Sequence, residues 1–238
     1  MDAVRDASEK RPKHTSQYDE GASERSNEEM LRPRKSYKAI LFDLDGVLVN
    51  MPDGHYEALN RALALFGVKI EREEHMRMFN GLPTRKKIEE LEKAGRLPTG
   101  LKEFINAVKQ KHTKEIIPKY CPPDYSKIIL LQHLKNRGLK LACCTNSIRE
   151  TTHLMLKSAH LFDFFDLIIG NDEVKNPKPH PETYLYTFEK LGVEPHECLI
   201  IEDAPPGIAS ARASGAFVIE VRGPEDVNLA LFEKILNF

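Results

Sequence analysis

The chain has 238 residues, 41% of them hydrophobic, with 35 basic and 36 acidic side chains and a formal net charge of −1. That is enough apolar material for one large domain, or for a core with a smaller accessory unit. The near-neutral balance gives no electrostatic reason to expect nucleic acid or an anionic membrane surface as a partner.

Residues 1–36 are polar, charged and poor in large apolar side chains, a composition that cannot offset its own ordering entropy, so a disordered tail is expected there. It lacks the apolar stretch of a secretory signal, and its acids (Asp2, Asp6, Glu9, Asp19, Glu20) do not fit an organelle transit peptide. No apolar run approaches the roughly 18–20 residues that span a bilayer. A cytoplasmic location is the resulting expectation. Arg32, Arg34, Lys35 and Lys38 form a basic cluster that reads as a solvated linker.

Order begins at Ala39-Ile40-Leu41-Phe42, a short apolar run suited to a parallel strand with hydrophobic neighbours on both faces. Similar runs recur at 139–144, 167–169, 198–201 and 217–221. Helical patterns separate the later ones: Ser147-Ile148-Arg149-Glu150 has the form of a capping box, and Pro181 and Pro206 suit first helical turns. This alternation predicts a doubly wound, Rossmann-like α/β core over 37–50 and 119–238. From 51 to 118 the pattern is helical throughout. Tyr56, Leu59, Leu63 and Phe66, then Ile88 and Leu91, then Phe104, Ile105 and Val108 give three apolar faces, which predicts a small helical bundle inserted after the first strand. Cys121, Cys143, Cys144 and Cys198 form no C-x-x-C pair, which argues against zinc; those in strand runs read as buried thiols.

In an open α/β sheet, ligands collect at the carboxyl ends of the strands, so the residues after each run matter most. Asp43-Leu44-Asp45-Gly46 follows the first. Two carboxylates this close repel unless a cation joins them, and a hard ion with oxygen ligands, such as magnesium, suits the pair. An EF-hand does not fit, because its glycine falls at the sixth loop position and here it is fourth. Thr145-Asn146-Ser147 offers a hydroxyl and backbone N–H groups before a helix, an anion cradle or a simple N-cap. Lys178 stands between prolines in 177–181, either a fixed cation or a surface lysine in a turn. Glu202-Asp203 is a second acid pair, or complements a helix dipole. Each has a plain structural reading; the four together make a metal site, a phosphate cradle and a nucleophile.

These motifs, F-D-L-D-G-V-L at 42–48, C-T-N-S at 144–147, K-P-H-P at 178–181 and I-E-D-A-P-P-G at 201–207, occur in the order of the haloacid dehalogenase-like superfamily, which the chain resembles over about 38–222. The inserted bundle resembles the α-helical cap of its β-phosphoglucomutase and phosphoglycolate phosphatase branch. The resemblance implies that Asp43 attacks phosphorus and becomes an aspartyl phosphate, and that Asp45 serves as general acid and then base. It implies Mg2+ bound by Asp43, by Asp45 through its backbone carbonyl and by Asp203, with Glu202 nearby or bound through water. Thr145 and the Asn146 N–H would hold phosphate oxygens, and Lys178 would neutralise growing charge. Asp45 argues against dehalogenation, since a halide leaves without a proton. The cap would supply substrate contacts: His55 in its first helix, Arg85 in the loop 81–85 as an anion binder, and Lys111, which also reads as a solvated helix face. Thr84 reads as an N-cap.

The expected function is a magnesium-dependent phosphatase acting on a small phosphorylated metabolite such as a sugar phosphate. A phosphomutase is the first alternative, although Asn50-Met51 replaces the Asp-Thr of that branch and the cap loop is one residue longer. A non-catalytic binding or regulatory protein on the same fold is the second.

Overall fold

The computed structural model describes residues 37–79 and 82–236. The expected tail and Gly81 of the cap loop lie outside the described residues. Five strands, β1 (Ala39–Phe42), β2 (Lys140–Cys144), β3 (Leu167–Ile169), β4 (Cys198–Glu202) and β5 (Phe217–Glu220), form one parallel sheet in the order β3-β2-β1-β4-β5. The chain builds outward from β1 to β3, then crosses back to place β4 and β5 on the other side. The strand order therefore reverses between β1 and β4, and a crevice opens outside their carboxyl ends.

Alternate residues of the strands feed two cores, as the two-residue period of a strand dictates. Ile40, Phe42, Leu141 and Cys143 pack on one side with Met155 and Phe232. Ala39, Leu41, Ala142, Cys144 and Ile200 pack on the other with Tyr184. Both faces being covered explains why β1 is apolar at every position. Phe42 is fully buried, and Phe42→Ala would cost about 3–5 kcal/mol. All four cysteines are buried and free.

Between β1 and β2 lie α1 (Pro52–Leu63), a turn at Arg72–Glu74 that continues as a π-helical turn (His75–Phe79), α2 (Thr84–Lys93) and α3 (Lys102–Tyr120). They enclose an apolar cluster of their own that includes Leu59, Leu63, Ile70, Phe79, Ile88 and Ile105. Of the residues expected on that face, Ile105 is buried, whereas Phe104 is 54% exposed. The helix α4 (Tyr125–Asn136) leads into β2. Then α5 (Arg149–Ser158), α6 (Glu182–Leu191) and α7 (Pro205–Ala213) alternate with the strands, and α8 (Leu229–Leu236) follows β5. Among the described residues no helix is long and apolar enough to cross a membrane.

The expected capping box at 147–150 does not form. Ile148 precedes α5 in an extended conformation, and Asp172 Oδ1 accepts from the Arg149 N–H at 2.8 Å. The Ser147 hydroxyl is used elsewhere, on Asp45. Thr84 likewise opens α2 without capping it; Pro83 precedes it. Pro206 falls in the first turn of α7 as expected, with Pro205 before it, whereas Pro181 stands just before α6.

Candidate active site

Asp43 leaves β1 with its N–H still bonded to the Ile201 carbonyl at 3.0 Å, so it is held in line with the sheet. Three residues on, Gly46 turns the chain with φ +87°. A Cβ there would fall 2.0 Å from Asp203 Oδ2, so only glycine lets this loop approach the end of β4. Gly207 serves the same purpose beneath Glu202, where a Cβ would fall 2.1 Å from Oε1.

Lys178 crosses this space. It is 3% exposed, and its ammonium donates to Asp43 Oδ1 at 2.7 Å, Glu202 Oε1 at 2.6 Å and the Cys144 carbonyl at 2.7 Å, using all three of its donors. The Tyr184 ring lies beneath it, 4.9 Å from the nitrogen, and the Tyr184 hydroxyl donates to Glu202 Oε1. Burial opposes the lysine's charge, but Asp43 and Glu202 outweigh it and hold the ammonium above its usual range. Burial pushes the Asp43 carboxyl well up; Lys178 pulls against this, and Glu202 and Asp203 reinforce it. Asp203 is pushed up to about 7, by burial first and then by Glu202 and Asp45.

Carboxylate oxygens of Asp43, Glu202 and Asp203 lie within 4.8 Å of one another. Three acids meet one ammonium there, and Asp203 Oδ1 is buried with no hydrogen-bond partner. An acid cluster with more negative than positive charge and an orphaned buried oxygen fits a hard divalent cation.

Asp45 bonds to a different set of partners. Its Oδ2 accepts from His55 Nε2 at 3.0 Å and from the Ser147 hydroxyl at 3.2 Å. The Lys109 ammonium donates to His55 Nδ1 at 3.2 Å, which leaves the imidazole hydrogen on Nε2, facing Asp45. Burial would raise the Asp45 carboxyl, but His55, Lys109 and Ser147 hold it below its usual range. Burial, helped by Lys109, lowers the His55 imidazole. Nearby, Thr145 is 1% exposed and its Oγ1 accepts from the Ser147 N–H at 3.1 Å. The Asn146 side chain donates to the Lys178 carbonyl at 3.1 Å, tying two loops together.

The acids, Lys178, His55, Lys109 and the residues 145–147 border one cleft of about 340 Å³, the size of a small-metabolite site. Of the residues singled out in the sequence, Asp43, Asp45, His55, Thr145, Asn146, Lys178, Glu202 and Asp203 meet there. Arg85 reaches its edge, but its guanidinium is held by Glu103 in a two-pronged pair, Nε–Oε1 and Nη2–Oε2 both 2.9 Å. Lys111 is exposed on α3 and does not line the cleft. Lys109 does, together with Lys87 of α2; the sequence pattern singled out neither of these nor Tyr184, and it offered Ser147 as a cap or cradle residue and not as a partner of Asp45. A signal for Lys109 existed. It follows Ile105 by four residues and precedes Thr113 by four, all three on one buried helix face. Lys111 lies about 200° further round.

A sequence model of the family described as haloacid dehalogenase-like hydrolase matches residues 40–221. A probable pseudouridine-5'-phosphatase of Saccharomyces cerevisiae is 33% identical over 209 residues, covering 79% of this chain and 84% of that one. A phosphoglycolate phosphatase of Aquifex aeolicus is 31% identical over 178 residues, covering 75% and 81%. The crystal structure of a β-phosphoglucomutase from Clostridium difficile superposes with a TM-score of 0.73 at 22% identity, covering 84% of this chain and 97% of that one, a likeness of fold.

Proposed function

The chain belongs to the haloacid dehalogenase-like hydrolases and is a phosphoric monoester hydrolase, and we propose that it cleaves a small phosphomonoester through a phosphorylated Asp43 with magnesium as cofactor. The observation that carries this reading is the separation of two aspartates two residues apart: Asp43 joins the Lys178, Glu202 and Asp203 cluster, while Asp45 joins His55.

Asp43, Glu202 and Asp203 would hold the metal. When bound, magnesium supplies the positive charge that keeps Asp43 ionised and lets an anionic carboxylate meet an anionic phosphate. A carboxylate oxygen of Asp43 bonds to phosphorus as the ester oxygen departs, and Asp45 delivers a proton to that oxygen. Asp45 is ionised in the substrate-free cleft, so its proton arrives with the substrate: the approaching phosphate, a like charge, raises its affinity for one. Asp45 then takes a proton from the water that attacks the aspartyl phosphate, releasing inorganic phosphate and restoring Asp43. Thr145 and the Asn146 N–H hold phosphate oxygens, and Lys178 offsets charge as it grows. His55 keeps Asp45 oriented throughout. The departure from the mutase pattern at Asn50-Met51 favours the phosphatase reading over the mutase one.

The test is phosphate release from a panel of small phosphomonoesters with magnesium, comparing the wild type with Asp43→Asn. Turnover should fall at least about a thousandfold in the variant while circular dichroism reports the same fold, because Glu202 still pairs the Lys178 ammonium and the amide keeps the volume of the carboxyl. Retained turnover would exclude the aspartyl phosphate.

A further inference from the structure

The helices between β1 and β2 present two ammonium groups that the steps above leave unused. Lys87 on α2 is 6% exposed and Lys109 on α3 is 5% exposed, and both border the cleft that Asp43 borders. Among the described residues the Lys87 ammonium makes no hydrogen bond or ion pair. Lys109 touches only the neutral acceptor His55 Nδ1. The one carboxylate that acts on both is Asp45, and its Oδ2 is already shared by His55 and Ser147. Two ammonium groups thus share one nearby carboxylate.

Buried ammonium groups without counter-charge are costly unless an anion joins them. The strain is visible in both: burial, then Lys109, holds Lys87 down to about 7, and burial holds Lys109 down to about 8. The reacting phosphate has its own partners in Thr145, Asn146 and Lys178, all in the loops after the strands. Arg85, the other cation at this edge, is occupied by Glu103. Asn106 and Gln110 of α3 add amide groups to the same wall.

We propose that Lys87 and Lys109 form a subsite for a second anionic group of the substrate, so that the enzyme selects phosphomonoesters bearing a distal carboxylate or second phosphate over those with a neutral tail. The inference rests on the phosphatase reading for its kinetics and on the lysine pair for its specificity.

Two matched pairs test it: 3-phosphoglycerate against glycerol 3-phosphate, where a carboxylate replaces a hydroxymethyl group, and fructose 1,6-bisphosphate against fructose 1-phosphate. With the full chain and magnesium, kcat/KM should favour the anionic member of at least one pair by about tenfold or more, mainly through KM. The pair that responds identifies the distal group. Lys87→Met should bring that ratio close to one and leave kcat for the neutral-tail ester within about twofold; Lys87→Arg should restore most of the ratio. No preference in either wild-type pair would overturn the proposal. So would an equal loss for both members in Lys87→Met, which would place Lys87 on the reacting phosphate. Calorimetric binding of 3-phosphoglycerate and fructose 1,6-bisphosphate separates the two readings. Lys87-dependent binding without turnover would keep the subsite and overturn the phosphatase. Turnover with binding indifferent to Lys87 would overturn the subsite alone.

Discussion

Replacing Lys178 with methionine removes the charge at the centre of the acid cluster while keeping most of the side-chain volume. The ammonium makes three short hydrogen bonds, two of them to the buried carboxylates of Asp43 and Glu202. Removing one partner of a buried ion pair costs about 3–5 kcal/mol, because the other charge stays behind unpaired. In a chain of this size each kcal/mol moves the melting temperature by about 2–4 °C, so Lys178→Met should melt roughly 6–20 °C lower in EDTA at pH 7. The folded-state pKa of Lys178 is raised, so its contribution is complete below the unfolded value near 10.4 and is lost only as pH rises through the folded value. The deficit is therefore fully expressed at neutral pH. It should shrink on acidification as Asp43 takes up a proton. Saturating magnesium should restore part of the loss, since an ion between Asp43, Glu202 and Asp203 returns the missing positive charge; binding at a hundred times Kd contributes about 2.7 kcal/mol. Scanning calorimetry of both proteins with EDTA and with magnesium measures each quantity. A variant within about 1 kcal/mol of wild type in EDTA, or one indifferent to magnesium, would refute the electrostatic account of the cluster.

Tyr184→Phe keeps the ring under Lys178 but deletes the hydroxyl that donates to Glu202 Oε1. Loss of such a supporting partner should weaken magnesium about 10–100-fold by calorimetric titration, and an unchanged affinity would remove Tyr184 from the site. His55→Ala should raise the Asp45 carboxyl, because His55 holds it down. The acid limb of the kcat/KM profile should then move to higher pH, and a limb that stays put would detach His55 from Asp45. His75 is fully buried against the Tyr56 and Phe79 rings with neither ring nitrogen bonded, and burial holds it down to about 3. Its stabilising contribution is complete above the unfolded value near 6.5 and is lost toward the folded one at about 1.4 kcal/mol per pH unit. Urea unfolding at pH 6.5 and 5.0 should therefore show about 2 kcal/mol less stability at the lower pH from this group, and His75→Phe should flatten that difference; equal slopes would contradict it.

The sequence made the core part of the cleft legible for a topological reason. In a parallel sheet every strand ends at the same edge, so Asp43, Thr145 and Glu202, each read directly after an apolar run, had to converge. No knowledge of side-chain direction was needed. Helix faces demand more. Lys111 and Lys109 differ by two positions, and only the register set by buried Ile105 and Thr113 distinguishes the one facing the cleft from the one facing solvent. Local pattern misled at Ser147, where a capping motif competed with a carboxylate 102 residues earlier in the chain and the long-range bond to Asp45 prevailed. Tyr184 left no mark beyond its place on the buried side of α6; its role depends on Lys178 and Glu202 meeting above its ring.

The charges around the cleft are sorted by origin, and this sorting constrains what can bind. Residues after the strands contribute three acids and one lysine, an arrangement that calls for a cation. The helices between β1 and β2 bring Lys87 and Lys109 near Asp45, which His55 already bonds, while Glu89 on the same wall is paired with Lys86 and Lys102; this arrangement leaves the two buried ammonium groups open to an anion. Lys178 already spends its donors on Asp43, Glu202 and Cys144, and Asp45 Oδ2 already receives His55 and Ser147, while Asp45 Oδ1 has no hydrogen-bond partner among the described residues. A metal ion at the first half and a doubly anionic ester between them would satisfy both at once. A neutral-tailed ester would satisfy only the first, leaving Lys87 and Lys109 buried without counter-charge. The difference between those two substrates falls on binding, which is why KM rather than kcat is the quantity that should separate them.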